Sequence, residues 1–146
     1  LKATKFGLPF RHVPTYLAGY YKYKAGDQFT EGGKPVNGKR DICDIYAIMY
    51  ETSESVPTLD GTNAFTSPNL ISTARINNAK ETNEWTYFKL PFTTLPGKFI
   101  DKEKLMDGKY NIAIVFTSSL EGDHFNGAIG STLLIDEAEL IYHSED

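Results

Sequence analysis

The tightest constraint on this chain is a hydrophobic alternation of period two. Across residues 109–118, Tyr110, Ile112, Ile114 and Phe116 share one parity, while Asn111, Ala113, Val115 and Thr117 share the other. Successive side chains of a strand point to opposite faces, so this pattern is a strand with one face in a core and a second, less apolar face. Residues 41–51 alternate with apolar groups on both sides. Cys43, Ile45, Ala47 and Met49 make one face, and Asp44, Tyr46, Ile48 and Tyr50 make the other. A strand buried on one side and lining or meeting something on the other has this pattern. Helical spacing of apolar residues is nearly absent.

The same period predicts strands over residues 17–24, 69–76, 85–92 and 131–142. Between them lie turn-rich stretches at 25–40, with Gly26, Gly32, Gly33, Pro35 and Gly38, and at 52–68, with Pro57, Gly61 and Pro68. Asp101 is placed to cap a single helical turn running to Met106 and ended by Gly108. Strands in this number, long loops and at most one or two short helical turns predict an all-β fold. The loops are too long for a simple meander, which favours a two-sheet jelly-roll sandwich. The 146 residues fit one domain, 1–146, without a linker or internal repeat. Fifteen basic against nineteen acidic residues leave a net charge of −4 and no basic footprint, so nucleic acid is not an expected partner. No apolar run approaches the ~20 residues of a membrane helix, so direct membrane insertion by this domain is not expected.

Signatures of catalysis fail one by one. There is no Gly-x-Ser-x-Gly, no His-Glu-x-x-His, no phosphate loop and no paired-cysteine zinc motif. His12, His124 and His143 are scattered. Cys43 is the single cysteine, forbidding an intramolecular disulfide, and its apolar neighbours predict a buried, inert thiol. Carboxylates are numerous, so a glycosidase pair survives as an alternative, needing two carboxyls ~5–5.5 Å apart to retain configuration or ~6.5–9.5 Å apart to invert it. Asp136 falls on the parity of Leu134, Ala138, Leu140 and Tyr142, which reads as core. A buried carboxylate needs a partner or a metal. Either a β-bulge re-aims Asp136 outward, or it joins backbone carbonyls around a structural Ca²⁺.

The polar-leaning strand faces hold the other constellation. Lys22 opposes Tyr21 and Tyr23, Asp44 and Tyr46 oppose Cys43, and Arg75 opposes Ala74 and Ile76. Trp85, Tyr87 and Lys89 oppose Phe88 and Leu90. Were these faces to meet on one sheet, aromatic plates would lie beside Asp, Arg and Lys. Sugars suit that chemistry, because their C–H faces pack on rings while their hydroxyls need donors and acceptors. Tyr46 and Trp85 would stack, Asp44 and Arg75 would hydrogen-bond, and Lys22 would supplement them. In the competing reading, Trp85 plugs the core and Arg75–Asp44 is a structural ion pair.

Several motifs together resemble a known family. They are Gly19-Tyr20-Tyr21-Lys22-Tyr23-Lys24-Ala25-Gly26, Asp41-Ile42-Cys43-Asp44-Ile45-Tyr46-Ala47 and Leu59-Asp60-Gly61-Thr62. Ile114-Val115-Phe116-Thr117-Ser118-Ser119, Gly122-Asp123-His124-Phe125 and Gly130-Ser131-Thr132-Leu133-Leu134-Ile135-Asp136-Glu137 complete the set. From Gly7 to Tyr142 the chain resembles the putative carbohydrate metabolism domain of Bacteroidetes. The resemblance implies a jelly-roll, galactose-binding-like domain. It also implies a setting after an immunoglobulin-like domain in a secreted, periplasmic or surface-anchored protein of gut bacteria that uses glycans. Members are often labelled glycoside hydrolases, but the family supplies no catalytic motif that matches positions here. The expectation is a non-catalytic module binding an oligo- or polysaccharide. A carboxylate-pair hydrolase and a structural spacer are the alternatives.

Overall fold

The computed structural model describes residues 8–10, 13–52, 68–77, 79–119 and 127–142. The three histidines, the turn at 59–62 and the motif at 122–125 lie outside the described residues. In chain order the strands are β1 (Leu8–Phe10), β2 (Pro14–Lys24), β3 (Phe29–Glu31), β4 (Lys34–Val36), β5 (Asp44–Glu51), β6 (Leu70–Arg75), β7 (Thr86–Pro91) and β8 (Thr93–Thr94). One helical turn, α1 (Lys102–Met106), precedes β9 (Tyr110–Thr117), β10 (Gly127–Ala128) and β11 (Thr132–Tyr142). All pairings are antiparallel, in a five-stranded sheet β1-β9-β5-β6-β8, a three-stranded sheet β11-β2-β7 and a small sheet β10-β3-β4.

The first two sheets form the sandwich. Between them Leu17, Tyr21 and Tyr23 of β2 and Phe88 and Leu90 of β7 pack against Cys43, Ile45, Ala47 and Ala74. Strand β5 lies between β9 and β6, and its other face is also closed. Tyr46, Ile48 and Tyr50 are buried with Leu70, Ala113 and Val115, and Leu95 packs against them. That double burial explains why residues 41–51 are apolar on both parities. At the end of the sandwich, Leu105 of α1 packs with Met49, Ile71, Tyr110 and Ile112. The Asp101 side chain caps the turn by accepting from the Glu103 and Lys104 N–H groups at 2.8 and 3.3 Å, as its sequence position predicts.

Two departures from the sequence pattern matter for the site. Residues 25–40 hold the β3–β4 hairpin, whose three-residue strands are too short to show a period. Gly32 and Gly33, at φ +57° and +86°, form the two-residue turn that requires positive φ at both positions. The second is a β-bulge in β11. Asp136 pairs with Tyr20 but Glu139 with Ala18, so Glu137 and Ala138 oppose Gly19 alone. Glu137 takes φ +51°, and Asp136 Oδ1 accepts the Glu137 N–H at 2.9 Å. The extra residue switches parity. Leu133 and Ile135 face the core before the bulge and Leu140 after it, so Leu134 and Asp136 point outward, not into the core.

Candidate functional site

The five residues singled out from sequence separate onto the two outer faces of the sandwich. Asp44, Tyr46 and Arg75 sit on the five-stranded sheet, where Tyr46 and Arg75 are register partners. Arg75 grips Asp44 through two hydrogen bonds, Nε to Oδ1 at 3.1 Å and Nη2 to Oδ2 at 2.7 Å. Its guanidinium also lies 5.6 Å from the Tyr46 ring centroid. Such a fork satisfies a carboxylate that is nearly closed off from water. Tyr46 is only 4% exposed, so it cannot serve as a stacking plate. The assignment of Tyr46 as a stacking ring is therefore corrected, because the second core of the five-stranded sheet encloses it. Arg75 and Asp44 border a cleft of about 370 Å³ with Ile76, Asn77 and Ala79, but their donors and acceptors are directed at each other.

Lys22 and Trp85 come together on the other sheet. The Lys22 ammonium lies 4.9 Å from the centroid of the Trp85 ring, and Trp85 is 43% exposed, so it does not plug the core. The register carries this pair into a larger array. Tyr20 of β2 pairs with Tyr87 of β7, their ring centroids 5.3 Å apart, and the two are 37% and 51% exposed. One step further, Ala18 pairs with Lys89, whose ammonium lies 4.3 Å from the Tyr16 ring. On the β11 side Asp136 is the partner of Tyr20 and Glu139 of Ala18. Side chains two apart on a strand are separated by ~6.7 Å and neighbouring strands by ~4.8 Å, so the rings tile an open surface. Cations border it on β2 and β7, carboxylates on β11. The parity of Trp85, Tyr87 and Lys89 is visible in the sequence. Tyr20 shares the parity of Lys22 and was findable by the same rule. The place of Glu139 was hidden by the bulge.

With Asp136 on this exposed face, the buried-carboxylate reasoning for a Ca²⁺ site no longer applies to it. Among the described residues no three His, Cys, Asp or Glu side chains gather into a metal cage.

A different acid is buried. Asp41 Oδ2 accepts from Ser119 Oγ at 2.5 Å, Ser131 Oγ at 2.6 Å and the Ala128 N–H at 2.9 Å, and Oδ1 accepts from the Ile42 N–H at 3.0 Å. Ser131 Oγ in turn accepts the Gly26 N–H at 2.9 Å. A Cβ at Gly127 would come 2.8 Å from Ser119 Oγ and 3.2 Å from Asp41 Oδ2, so glycine is required beside this knot. Buried and held by four protein donors, Asp41 ties loops together. Cys43 is buried, and burial pushes its thiol up to about 12, the opposite of an activated nucleophile.

Residues 1–141 match the model of the family described as the Putative carbohydrate metabolism domain. The chain belongs to that family. Two solved structures are similar to it. A protein of Bacteroides thetaiotaomicron described as a putative glycoside hydrolase is 89% identical over 99% of this chain, with a TM-score of 0.94. One of Bacteroides vulgatus with the same description is 47% identical over 98% of the chain, with a TM-score of 0.88. The chain spans 42% and 57% of those two proteins, so it corresponds to one part of each. No protein of curated function matches.

Proposed function

We propose that this domain is a non-catalytic module that binds an oligo- or polysaccharide on the outer face of the β11-β2-β7 sheet. Membership of a carbohydrate-metabolism family and two neighbours described as glycoside hydrolases support a sugar as the partner. The observation that carries the reading is the exposure of Tyr20, Trp85 and Tyr87 together on one sheet face. The solvent face of an antiparallel sheet is ordinarily polar, and clustered exposed rings mark a binding surface. The hydroxyls of a stacked sugar would find ammonium donors at Lys22 and Lys89 and carboxylate acceptors at Asp136 and Glu139. The open shape of the described face supports binding rather than cleavage. Glycosidase chemistry relies on an acid whose pKa is raised by an enclosed, apolar setting, and this surface is open. The proposal places the domain outside the cytoplasmic membrane, in the periplasm or on the cell surface, where polymeric glycans are met.

A glycan array with the intact chain tests this, followed by titration of the best oligosaccharide against Trp85→Ala and Tyr87→Ala. Covering roughly 50 Å² of ring face at ~25 cal/mol/Å² gives about 1.25 kcal/mol, so each change should weaken binding about eightfold. Binding that survives both changes, or no binding to any glycan, would remove the reading. Release of reducing sugar, abolished by Asp136→Asn or Glu139→Gln, would replace it with the hydrolase.

A further inference from the structure

A cleft of about 510 Å³ opens at one end of the sandwich, within the ~300–1,000 Å³ range of small-molecule sites. Tyr16, Tyr142 and Phe92 give it aromatic walls, and Thr15, Ser72 and Thr94 bring hydroxyls from β2, β6 and β8. Among the described residues that line it, none is charged. It touches the aromatic face through Tyr16, whose outer side meets the Lys89 ammonium at 4.3 Å. Along β2 the outward positions run Tyr20, Ala18, Tyr16, about 13 Å from first to last. Ala18 is itself fully buried between its register partners Lys89 and Glu139, so between Tyr20 and Tyr16 the surface a glycan would meet is made by hydrogen-bonding side chains.

We propose that this cleft is a terminal subsite, taking an uncharged sugar ring at the end of a glycan whose adjoining rings lie along the aromatic face. The inference rests on the reading of that face as a glycan platform. The chemistry of the lining selects the ligand. Among the described lining residues a carboxylate or phosphate entering the cleft would find no cation to replace its water, whereas a neutral sugar offers C–H faces for the rings and hydroxyls for the hydroxyls. Thr15 Oγ1 donates to the Ile141 carbonyl at 2.9 Å, so its oxygen keeps the capacity to accept. The Tyr142 phenol, neutral at physiological pH like any tyrosine, is shifted further from ionisation by its partial burial. The charged rim of the platform and the uncharged cleft thus read different parts of one chain: internal rings by stacking, the last ring by enclosure.

The test titrates neutral gluco-, xylo-, manno- and galacto-configured hexasaccharides into the intact protein. Thr94→Trp fills the cleft from the two-residue edge strand β8, and Tyr87→Ala removes a platform ring. Thr94→Trp should weaken the binding hexasaccharide about fivefold or more, the equivalent of one lost hydrogen bond. A uronic acid at the chain end should weaken it comparably. Backbone amide shifts at Thr15 and Ser72 on titrating the unaltered chain give a second readout that does not depend on the variant folding. Wild-type affinity in Thr94→Trp, or unmoved Thr15 and Ser72 signals, together with weakened Tyr87→Ala, overturns the terminal subsite and leaves the platform standing. Unaltered affinity in Tyr87→Ala overturns the platform and, with it, this inference.

Discussion

Replacing Asp41 by alanine strips the acceptor from three donors, Ser119 Oγ, Ser131 Oγ and the Ala128 N–H, that converge on one carboxylate oxygen. The two serine hydroxyls can rotate toward other acceptors. The Ala128 N–H is fixed by the backbone and buried, so it loses its partner outright. A buried donor left unsatisfied costs ~1–3 kcal/mol, and each charged hydrogen bond contributes ~1.5–3 kcal/mol. Counting the amide in full and the hydroxyls at a reduced share gives a loss of about 3–5 kcal/mol. At ~2–4 °C per kcal/mol for a chain of this size, Tm should fall by about 6–20 °C. Asp41→Asn keeps one oxygen for the three donors but turns an amide toward the Ile42 N–H, so it should lie between wild type and alanine. Urea unfolding followed by tryptophan fluorescence reads both variants. An alanine variant within about 1 kcal/mol of wild type would show that the loops around residues 26, 119 and 128–131 do not depend on Asp41.

Burial holds the Cys43 thiol and the Tyr23 phenol protonated up to about 12, against ordinary values of 9.0 and 10.0. The folded state therefore keeps protons that the unfolded chain releases, so stability is intact below about pH 9 and is lost as pH rises toward 12. Alkaline unfolding should coincide with Tyr23 ionisation at 295 nm, and Cys43 should resist a thiol reagent until that transition; prompt labelling at neutral pH would contradict both. Arg75→Ala leaves Asp44 nearly closed off from water without its fork and should cost about 1–3 kcal/mol by thermal melt, the partial exposure of the arginine limiting the loss. Glycan affinity should stay within about twofold in the same variant, and a larger change would return the Asp44–Arg75 cleft to the binding site.

The sequence shows every strand long enough to complete two periods, because alternation is a local property. Strands β5 and β9, the capped turn at Asp101 and the burial of Cys43 all follow from neighbouring residues alone. What alternation cannot show is which sheet a strand joins. Asp44, Tyr46 and Arg75 have the same outward parity as Lys22 and Trp85, yet the two groups lie on opposite layers, since pairing is a long-range matter of β5 with β6 and β2 with β7. Nor does parity survive an inserted residue. The bulge at Glu137–Ala138 reverses it within β11, which is why Leu134 and Asp136 read as core from the sequence and stand in solvent in the fold. The Asp41 knot was illegible for a third reason: its donors come from positions 78 to 90 residues away, and no local pattern reports such distant contacts.

The two outer faces of the sandwich have different fates, and the difference bears on the aromatic platform. The five-stranded sheet covers its outer face with a second core of Tyr46, Ile48 and Tyr50, so its aromatic residues are explained by packing. Among the described residues no such cover explains Tyr20, Trp85 and Tyr87. Their contribution to the fold is bounded by what they touch. A cross-strand aromatic pair gives ~0.2–1 kcal/mol, and an exposed cation–π contact about 0.5–1 kcal/mol. A Trp85→Thr, Tyr87→Thr double variant, with a residue that favours strands at both positions, should then lose no more than about 2 kcal/mol and fold normally. If the rings are there for a ligand, the same variant should lose glycan binding by about sixty-fold, the product of two roughly eightfold losses. Thermal melting and glycan titration on one preparation separate the outcomes. A loss beyond about 4 kcal/mol would make the rings structural and take the platform with it, while a folded variant that binds as before would show that exposed aromatics on this face serve something other than sugar.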